Sequence, residues 1–91
     1  MNIIWDDEKN ATLKKERNIS FEEIEVLILD KKYLDIVEHP KRPNQKLFIL
    51  SFKGYIHVVP FVIDTDNNIV LKTAFPSTKF NKIYGQKDNE N

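Results

Sequence analysis

The spacing of apolar residues changes along this chain, from a helical period near the start to a period of two later on. Ile24, Leu27 and Ile28 follow the i, i+3, i+4 spacing that places side chains on one face of a helix. After residue 32, short segments either alternate apolar with polar residues or are apolar at almost every position. The pattern therefore predicts helices first and a β-sheet after them.

The first helix is predicted from its end signals. Residues 2–5 are a short apolar segment, which we interpret as a first strand. Asp6 or Asp7 follows as an N-cap, because a short carboxylate can accept the free N–H groups of the first turn. We expect this helix to end near Arg17.

The second helix has the clearest local signal. Ser20 and Glu23 have the spacing of a capping box, in which the two residues satisfy each other's backbone N–H groups. We expect the helix to occupy residues 21–30.

Strands are predicted for most of the second half. They cover residues 33–38, 46–52, 55–63 and 69–75. Pro60 has no N–H to donate, so it predicts an edge position or a bulge. Ser77 can cap a last short helix that runs to about Tyr84, and residues 86–91 read as a polar tail.

These elements predict one α+β domain over residues 1–85. Two N-terminal helices would pack on an antiparallel sheet of about four strands, followed by a short C-terminal helix. Strands that are apolar on both faces need a second cover. Either the last helix or a partner protein can supply it.

Composition narrows the class of protein. The chain has 91 residues, enough for one domain, and no cysteine, which excludes disulfides and thiolate metal sites. Its apolar runs are far shorter than a membrane span of about 20 residues, and its acidic N-terminus differs from a signal peptide. We expect a soluble, cytoplasmic protein with no membrane contact.

The charge is balanced overall but unevenly distributed. Residues 1–38 hold six Lys/Arg and ten Asp/Glu, whereas residues 39–91 hold eight and four. The halves therefore carry −4 and +4. This asymmetry is typical of a surface that faces a polyanion, and equally of an ordinary solvated surface.

The first 24 residues resemble a known family. IIWDDEKN at 3–10, the basic end of the first helix and NISFEEI at 18–24 are similar to the opening of BrnT-type toxins, whose fold is a variant of the RelE fold. The resemblance covers most of residues 3–84 and is loose after residue 24. It implies the toxin of a bacterial type II toxin–antitoxin pair: a metal-independent endoribonuclease that acts on mRNA.

The resemblance also implies partners. These are RNA and a cognate antitoxin, which the acidic helices or an open sheet edge would contact. Operator DNA, reached through the antitoxin, and a homodimer are further partners that it allows. No cofactor and no metal are expected.

Two departures from the family leave an alternative open. Arg17 stands where the family commonly has a histidine, and the segment from Pro76 to Lys79 lacks the arginine expected before the last helix. Lysine binds a phosphate as a point charge, whereas arginine binds it bidentately. The alternative is a catalytically silent module that keeps the fold and binds protein or nucleic acid.

RNA cleavage without metal needs a proton acceptor, a proton donor and a cation near the phosphorane. The catalytic candidates are His57, Lys79, Ser77 and Tyr84. His57 would act from a groove on a sheet face; it can equally be a half-buried strand residue bonded to a neighbour. The segment from Ser77 to Tyr84 can equally be a capped surface helix with Tyr84 in the core.

A second group of residues is predicted to bind the phosphates of RNA. It comprises Lys14, Lys15, Arg17, His39, Lys41, Arg42, Lys46, Lys72 and Lys82. Those in 39–46 form a basic loop, which can equally be a solvated connector.

Overall fold

The computed structural model describes residues 1–85. The elements are β1 (Ile3–Trp5), α1 (Asp7–Arg17), α2 (Phe21–Leu29), β2 (Tyr33–Glu38), β3 (Lys46–Phe52), β4 (Tyr55–Ile63), β5 (Ile69–Leu71), β6 (Phe75–Pro76) and α3 (Thr78–Phe80), which continues into a π-helical turn, Asn81–Gly85. The predicted tail, 86–91, lies outside the described residues. None of the described helices is long and apolar enough to cross a membrane.

Both N-terminal helices begin at the predicted caps. The Asp6 carboxylate accepts a hydrogen bond from the Lys9 N–H at 2.9 Å, and the Ser20 hydroxyl accepts one from the Glu23 N–H at 3.2 Å. The first helix ends at Asn18, whose φ of 54° is the left-handed conformation common at helix ends. The local sequence signals therefore determined where these helices begin.

The strands form one mixed sheet in the order β1-β5-β4-β3-β2, and β6 also pairs with β4. The pairs from β2 to β6 are antiparallel, whereas β1 runs parallel to β5. The α+β class, the two leading helices and the short last helix are confirmed. The sheet has six strands rather than about four, because β1 joins it and the last predicted strand is divided into β5 and β6.

The division of the last strand lies opposite Pro60. Between the pairs Phe61–Leu71 and Val58–Phe75, β4 advances three residues while its partner advances four. The partner therefore carries one extra residue, which is a β-bulge. Pro60 accepts a hydrogen bond from the Lys72 N–H at 2.9 Å but has no N–H to return. The predicted edge position of Pro60 is wrong, because β4 has a partner on both sides, and the predicted bulge is on the strand beside Pro60.

The sheet buries apolar side chains on both faces. One core lies under α1 and α2 and includes Phe21, Ile24, Leu50 and Val59. The other core lies on the opposite face and consists of Leu47, Ile49, Ile56 and Val58. Phe80 and Tyr84 pack against this second core, so the C-terminal helix and turn supply the second cover.

Candidate nucleic-acid interface

A basic cavity of about 330 Å³ lies where the first helix, the 39–45 loop and the bulge meet. Its lining residues are Lys9, His39, Arg42, Gln45, Pro60, Lys72, Thr73 and Phe75. None of these lining residues from the described chain is acidic. Two lysines, an arginine and a histidine therefore surround a space with no carboxylate among its lining residues, which is an environment for an anion.

The bulge places two of these residues. Lys72 and Thr73 lie between β5 and β6, directly beside Pro60. Bulges redirect side chains and are common next to functional sites. The hydrogen bond from the Lys72 N–H to the Pro60 carbonyl holds Lys72 at this position.

The 39–45 loop is held by its own hydrogen bonds. The His39 N–H donates to the Gln45 carbonyl at 3.2 Å, and the Gln45 N–H donates to the Arg42 carbonyl at 3.0 Å. The His39 side chain adds two more, because its Nδ1 accepts from the N–H of Lys41 at 3.0 Å and of Arg42 at 3.2 Å. Arg42 is therefore carried by an ordered turn.

The same hydrogen bonds determine which nitrogen of His39 carries hydrogen. Because Nδ1 accepts, the neutral ring has its hydrogen on Nε2. The Nε2–H is the group that His39 can offer to a bound phosphate.

An apolar cavity of about 420 Å³ adjoins the basic cavity. Its lining residues are Val37, Glu38, His39, Pro40, Leu47, Val58, Phe75, Ser77, Lys79 and Phe80. His39 and Phe75 line both cavities. The two spaces therefore meet at a shared wall formed by an imidazole and a phenyl ring.

Three of the predicted catalytic residues lie at or near this apolar cavity. Ser77 and Lys79 line it, and the Ser77 hydroxyl caps the last helix by accepting from the Phe80 N–H at 3.2 Å. Lys79 Nζ lies 5.6 Å from the centre of the Phe80 ring. Tyr84 packs on the same core and donates its hydroxyl to Asp35 Oδ2 at 2.8 Å. That hydrogen bond raises the pKa of Tyr84, so its hydroxyl is held as a donor.

His57, the remaining predicted catalytic residue, lines neither of these cavities. The residue is buried, with 7% of its surface exposed, and its ring lies nearly perpendicular to that of Phe52 in the helix-covered core, with 5.4 Å between the ring centres. Its Nδ1–H donates to the Tyr55 carbonyl at 3.0 Å, since a carbonyl can only accept. These contacts are those of a structural histidine, and catalysis by His57 stays a prediction.

The predicted RNA-binding residues are only partly brought together. His39, Arg42 and Lys72 meet in the basic cavity. Two others form exposed ion pairs: Lys14 with Glu22 at 3.5 Å, and Lys46 with Glu38 at 3.7 Å. The remaining predicted residues are exposed and line neither cavity. They are Lys15, Arg17, Lys41 and Lys82.

Several residues that line these cavities were not predicted as site residues. Lys9 belongs to the predicted first helix, Phe75 ends a predicted strand, and Phe80 lies in the predicted last helix. Pro60 was the available signal: a bulge beside it would have pointed to the residues of the neighbouring strand. Lys9 carried no such signal, because its position depends on how α1 packs.

A third cavity, of about 410 Å³, is apolar and lies on the helix side of the sheet. Leu29, Tyr33, Ile36, Ile63 and Ile69 are among its lining residues.

No group of three or more His, Asp or Glu within residues 1–85 is arranged to hold a metal ion.

Comparison with known proteins shows a similar fold in one solved structure. No model of a protein family matches the chain, and no curated protein is similar in sequence. The structure is similar to the crystal structure of the Brucella abortus ribonuclease toxin BrnT, with a TM-score of 0.65 and 20% sequence identity. The alignment covers 86% of this chain and 97% of that chain. The predicted likeness to the BrnT fold is confirmed.

Proposed function

We propose that this chain is the toxin of a bacterial type II toxin–antitoxin pair and cleaves mRNA without a metal ion. The observation that carries the proposal is the basic cavity, in which Lys9, Arg42 and Lys72 converge from three separate segments. Its support from comparison is the fold shared with a ribonuclease toxin. A cavity walled by cations favours the phosphates of a nucleic acid.

In the proposed reaction, the 2′-oxygen of a ribose attacks the adjacent phosphorus. The bond from that oxygen to phosphorus forms while the bond from phosphorus to the 5′-oxygen breaks. The products are a 2′,3′-cyclic phosphate and a 5′-hydroxyl. Water is not consumed in this step, and no oxidant or other co-reactant is needed. The proton of the 2′-hydroxyl goes to a base, and the departing 5′-oxygen receives one from an acid.

The basic cavity would stabilise the charge of this reaction. Arg42 can donate two hydrogen bonds to one phosphate, and Lys72 adds a positive charge. His39 contributes its Nε2–H. Because negative charge increases on the phosphorane oxygens, these donors stabilise the transition state more than the ground state.

The predicted catalytic residues keep their proposed roles, with His57 acting from the helix-side core rather than from the wall of this cavity. His57 is the proposed proton acceptor, Lys79 the proposed ammonium donor, and Tyr84 and Ser77 the proposed hydroxyl donors. Lys14, Lys15, Arg17, Lys41, Lys46 and Lys82 are proposed to extend the RNA-binding surface.

The antitoxin is proposed to bind the open edge of the sheet. Within the described residues β2 pairs only with β3, so its other side leaves backbone groups available for an added strand. Leu34 and Ile36 on this strand are 42% and 40% exposed. An Ile36→Glu variant should cleave RNA like the wild type but escape the antitoxin, which a mixing assay would measure.

The test of the ribonuclease is cleavage of end-labelled RNA by the purified chain, with and without a chelator. We expect cleavage in both, with products ending in a cyclic phosphate. Arg42→Ala and Lys72→Ala should each slow cleavage by about 100-fold, the effect of removing one charge-stabilising donor. Lys32→Ala, an exposed lysine outside the basic cavity, is the matched control.

The alternative function is a silent binding module, which the absence of arginine between Pro76 and Lys79 favours. It predicts that the chain binds RNA in the same cavity and leaves it intact. If RNA stays uncut when the protein is in excess, and if Arg42→Ala weakens RNA binding, the chain is a binding module and not a ribonuclease. Growth arrest on expression, relieved by a neighbouring gene, would support the toxin.

A further inference from the structure

We propose that the apolar cavity binds one unpaired nucleobase, preferentially guanine, while the basic cavity holds the phosphate of the same nucleotide. This inference rests on the proposed function, because it takes the ligand to be single-stranded RNA.

The contact between the two cavities is the first argument. A nucleotide joins a flat, largely apolar base to a charged phosphate through a ribose. His39 and Phe75 line both cavities, so the two spaces lie next to each other, within the reach of one ligand. A basic space and an apolar space that meet at such a wall match the two ends of one nucleotide.

The walls of the apolar cavity are the second argument. Phe75 and Phe80 are half-buried aromatic residues that pack against the second core. Aromatic side chains beside a cationic groove are the platforms on which single-stranded nucleic acids stack their bases. Leu47 and Val58 are buried and form the apolar floor.

The polar groups at this cavity provide the preference for a base. Its lining residues include one carboxylate, that of Glu38, and one ammonium group, that of Lys79. Guanine presents two adjacent N–H donors beside a carbonyl oxygen, so a carboxylate can accept both hydrogens while an ammonium donates to the oxygen. Uracil presents a single N–H between two acceptors and fits this pair less well.

Glu38 is available for this contact. Its ion pair with Lys46 is 3.7 Å long, and 74% of the Glu38 side chain is exposed. Ion pairs this exposed contribute little free energy. A base that enters the cavity can therefore take the place of Lys46 as partner of the carboxylate.

The test is binding of the 3′- and 5′-monophosphates of guanosine and uridine, with ribose 5-phosphate as the ligand that lacks a base. Titration calorimetry or amide chemical shifts of the whole chain measure the dissociation constants. We expect the guanosine nucleotides to bind about tenfold more tightly than ribose 5-phosphate, as stacking of one base implies. Uridine nucleotides should bind more weakly than guanosine nucleotides.

Two variants locate the base. Phe80→Leu keeps an apolar side chain but removes the ring, so guanosine nucleotides should bind about tenfold more weakly while ribose 5-phosphate is unaffected. Tyr33→Leu is the matched control, because Tyr33 is a half-buried aromatic residue of the helix-side core. Glu38→Gln, at an exposed position, should remove the preference for guanosine even if Phe80→Leu fails to fold.

The outcomes separate this inference from the proposed function. Guanosine nucleotides that bind no more tightly than ribose 5-phosphate would overturn it, and so would a preference that survives Glu38→Gln. Cleavage of RNA without any preference for a base would keep the ribonuclease and reject the base cavity. Selective nucleotide binding without cleavage would keep the base cavity and reject the ribonuclease.

Discussion

Asn10 on α1 accepts a hydrogen bond from the backbone N–H of Phe21 at the start of α2, at 2.8 Å. Asn10 is a buried residue, with 4% of its surface exposed, and its Nδ2 donates to Glu22 Oε1, also at 2.8 Å. The first N–H groups of a helix have no partner within the helix. Asn10 supplies one of these partners from another element, so it joins the two helices where they meet.

We expect Asn10→Ala to destabilise the fold by about 2 kcal/mol. The substitution leaves the Phe21 N–H buried without a partner, and an unsatisfied buried donor costs about 1–3 kcal/mol. Urea unfolding followed by circular dichroism measures the change. Thr12→Ala, an exposed position on the same helix, should stay within about 0.5 kcal/mol of the wild type. Equal losses in the two variants would contradict the role of Asn10.

The hydrogen bond from Asn10 is also the main reason why the pKa of Glu22 is lowered; the Glu22 backbone N–H and Lys14 add to it. A carboxylate whose pKa is lower in the folded state stabilises the fold above its unfolded pKa, about 4.3. This contribution is lost as the pH falls through the lower, folded value.

Glu22→Gln should therefore flatten the loss of stability below about pH 4.3, because the glutamine does not titrate. The measurement is the free energy of unfolding between neutral and strongly acidic pH. The control is the same substitution in an Asn10→Ala background, where the main cause of the shift is gone and the flattening should be smaller. An unchanged flattening in that background would refute the coupling.

Local signals predicted much of the fold. The Ser20 cap depends on residues three apart in sequence, and the alternation of β3 and β4 depends on the faces of a strand. The pairing of β1 with β5 was not predictable in this way, because Ile3 and Ile69 are distant in sequence and parallel pairing leaves no turn signal.

The candidate site was predictable only in part, for the same reason. His39 and Arg42 belong to one loop and were grouped correctly as neighbours. Lys72 and Lys9 join them only through the bulge beside Pro60 and the packing of α1. The sequence shows which residues carry the positive charge that a phosphate needs, but whether these residues converge depends on tertiary structure.

The hydrogen bond between Tyr84 and Asp35 predicts a change in alkaline stability. It is the main reason why the pKa of Tyr84 is raised, and burial and the charge of Asp35 add to it. A group with a raised folded pKa stabilises the fold fully below its unfolded pKa, about 10 for tyrosine, and the contribution is lost as the pH rises through the folded value.

Tyr84→Phe should cost about 0.5–1 kcal/mol near neutral pH, the net value of one hydrogen bond. Its stability should also fall less than that of the wild type above about pH 10. Ultraviolet titration of the variant should lack the transition of Tyr84, one of the three tyrosines of the chain. If Tyr84→Phe cleaves RNA at the wild-type rate, Tyr84 has only this structural role and the proposed catalytic role is rejected.

The basic cavity predicts how RNA binding depends on salt. Each cation that neutralises a phosphate releases condensed counterions, and for single strands log K falls with log salt by a slope of about −0.7 per contact. Lys72→Ala should therefore make the slope less steep by about 0.7, because Lys72 lines the basic cavity. Arg42→Lys should change the slope little, since the charge is kept, but should weaken binding because bidentate hydrogen bonding is lost.

Fluorescence anisotropy of a labelled, unstructured RNA over a series of salt concentrations measures both quantities. Short assay times and an RNA with 2′-O-methyl ribose at every position prevent cleavage during the titration, because the proposed reaction needs a free 2′-hydroxyl. Lys32→Ala is the control, because it removes the same charge from an exposed position outside the cavity. If Lys32→Ala and Lys72→Ala change the slope by the same amount, binding depends on overall charge alone, and the convergence of cations beside Pro60 has no role in holding RNA.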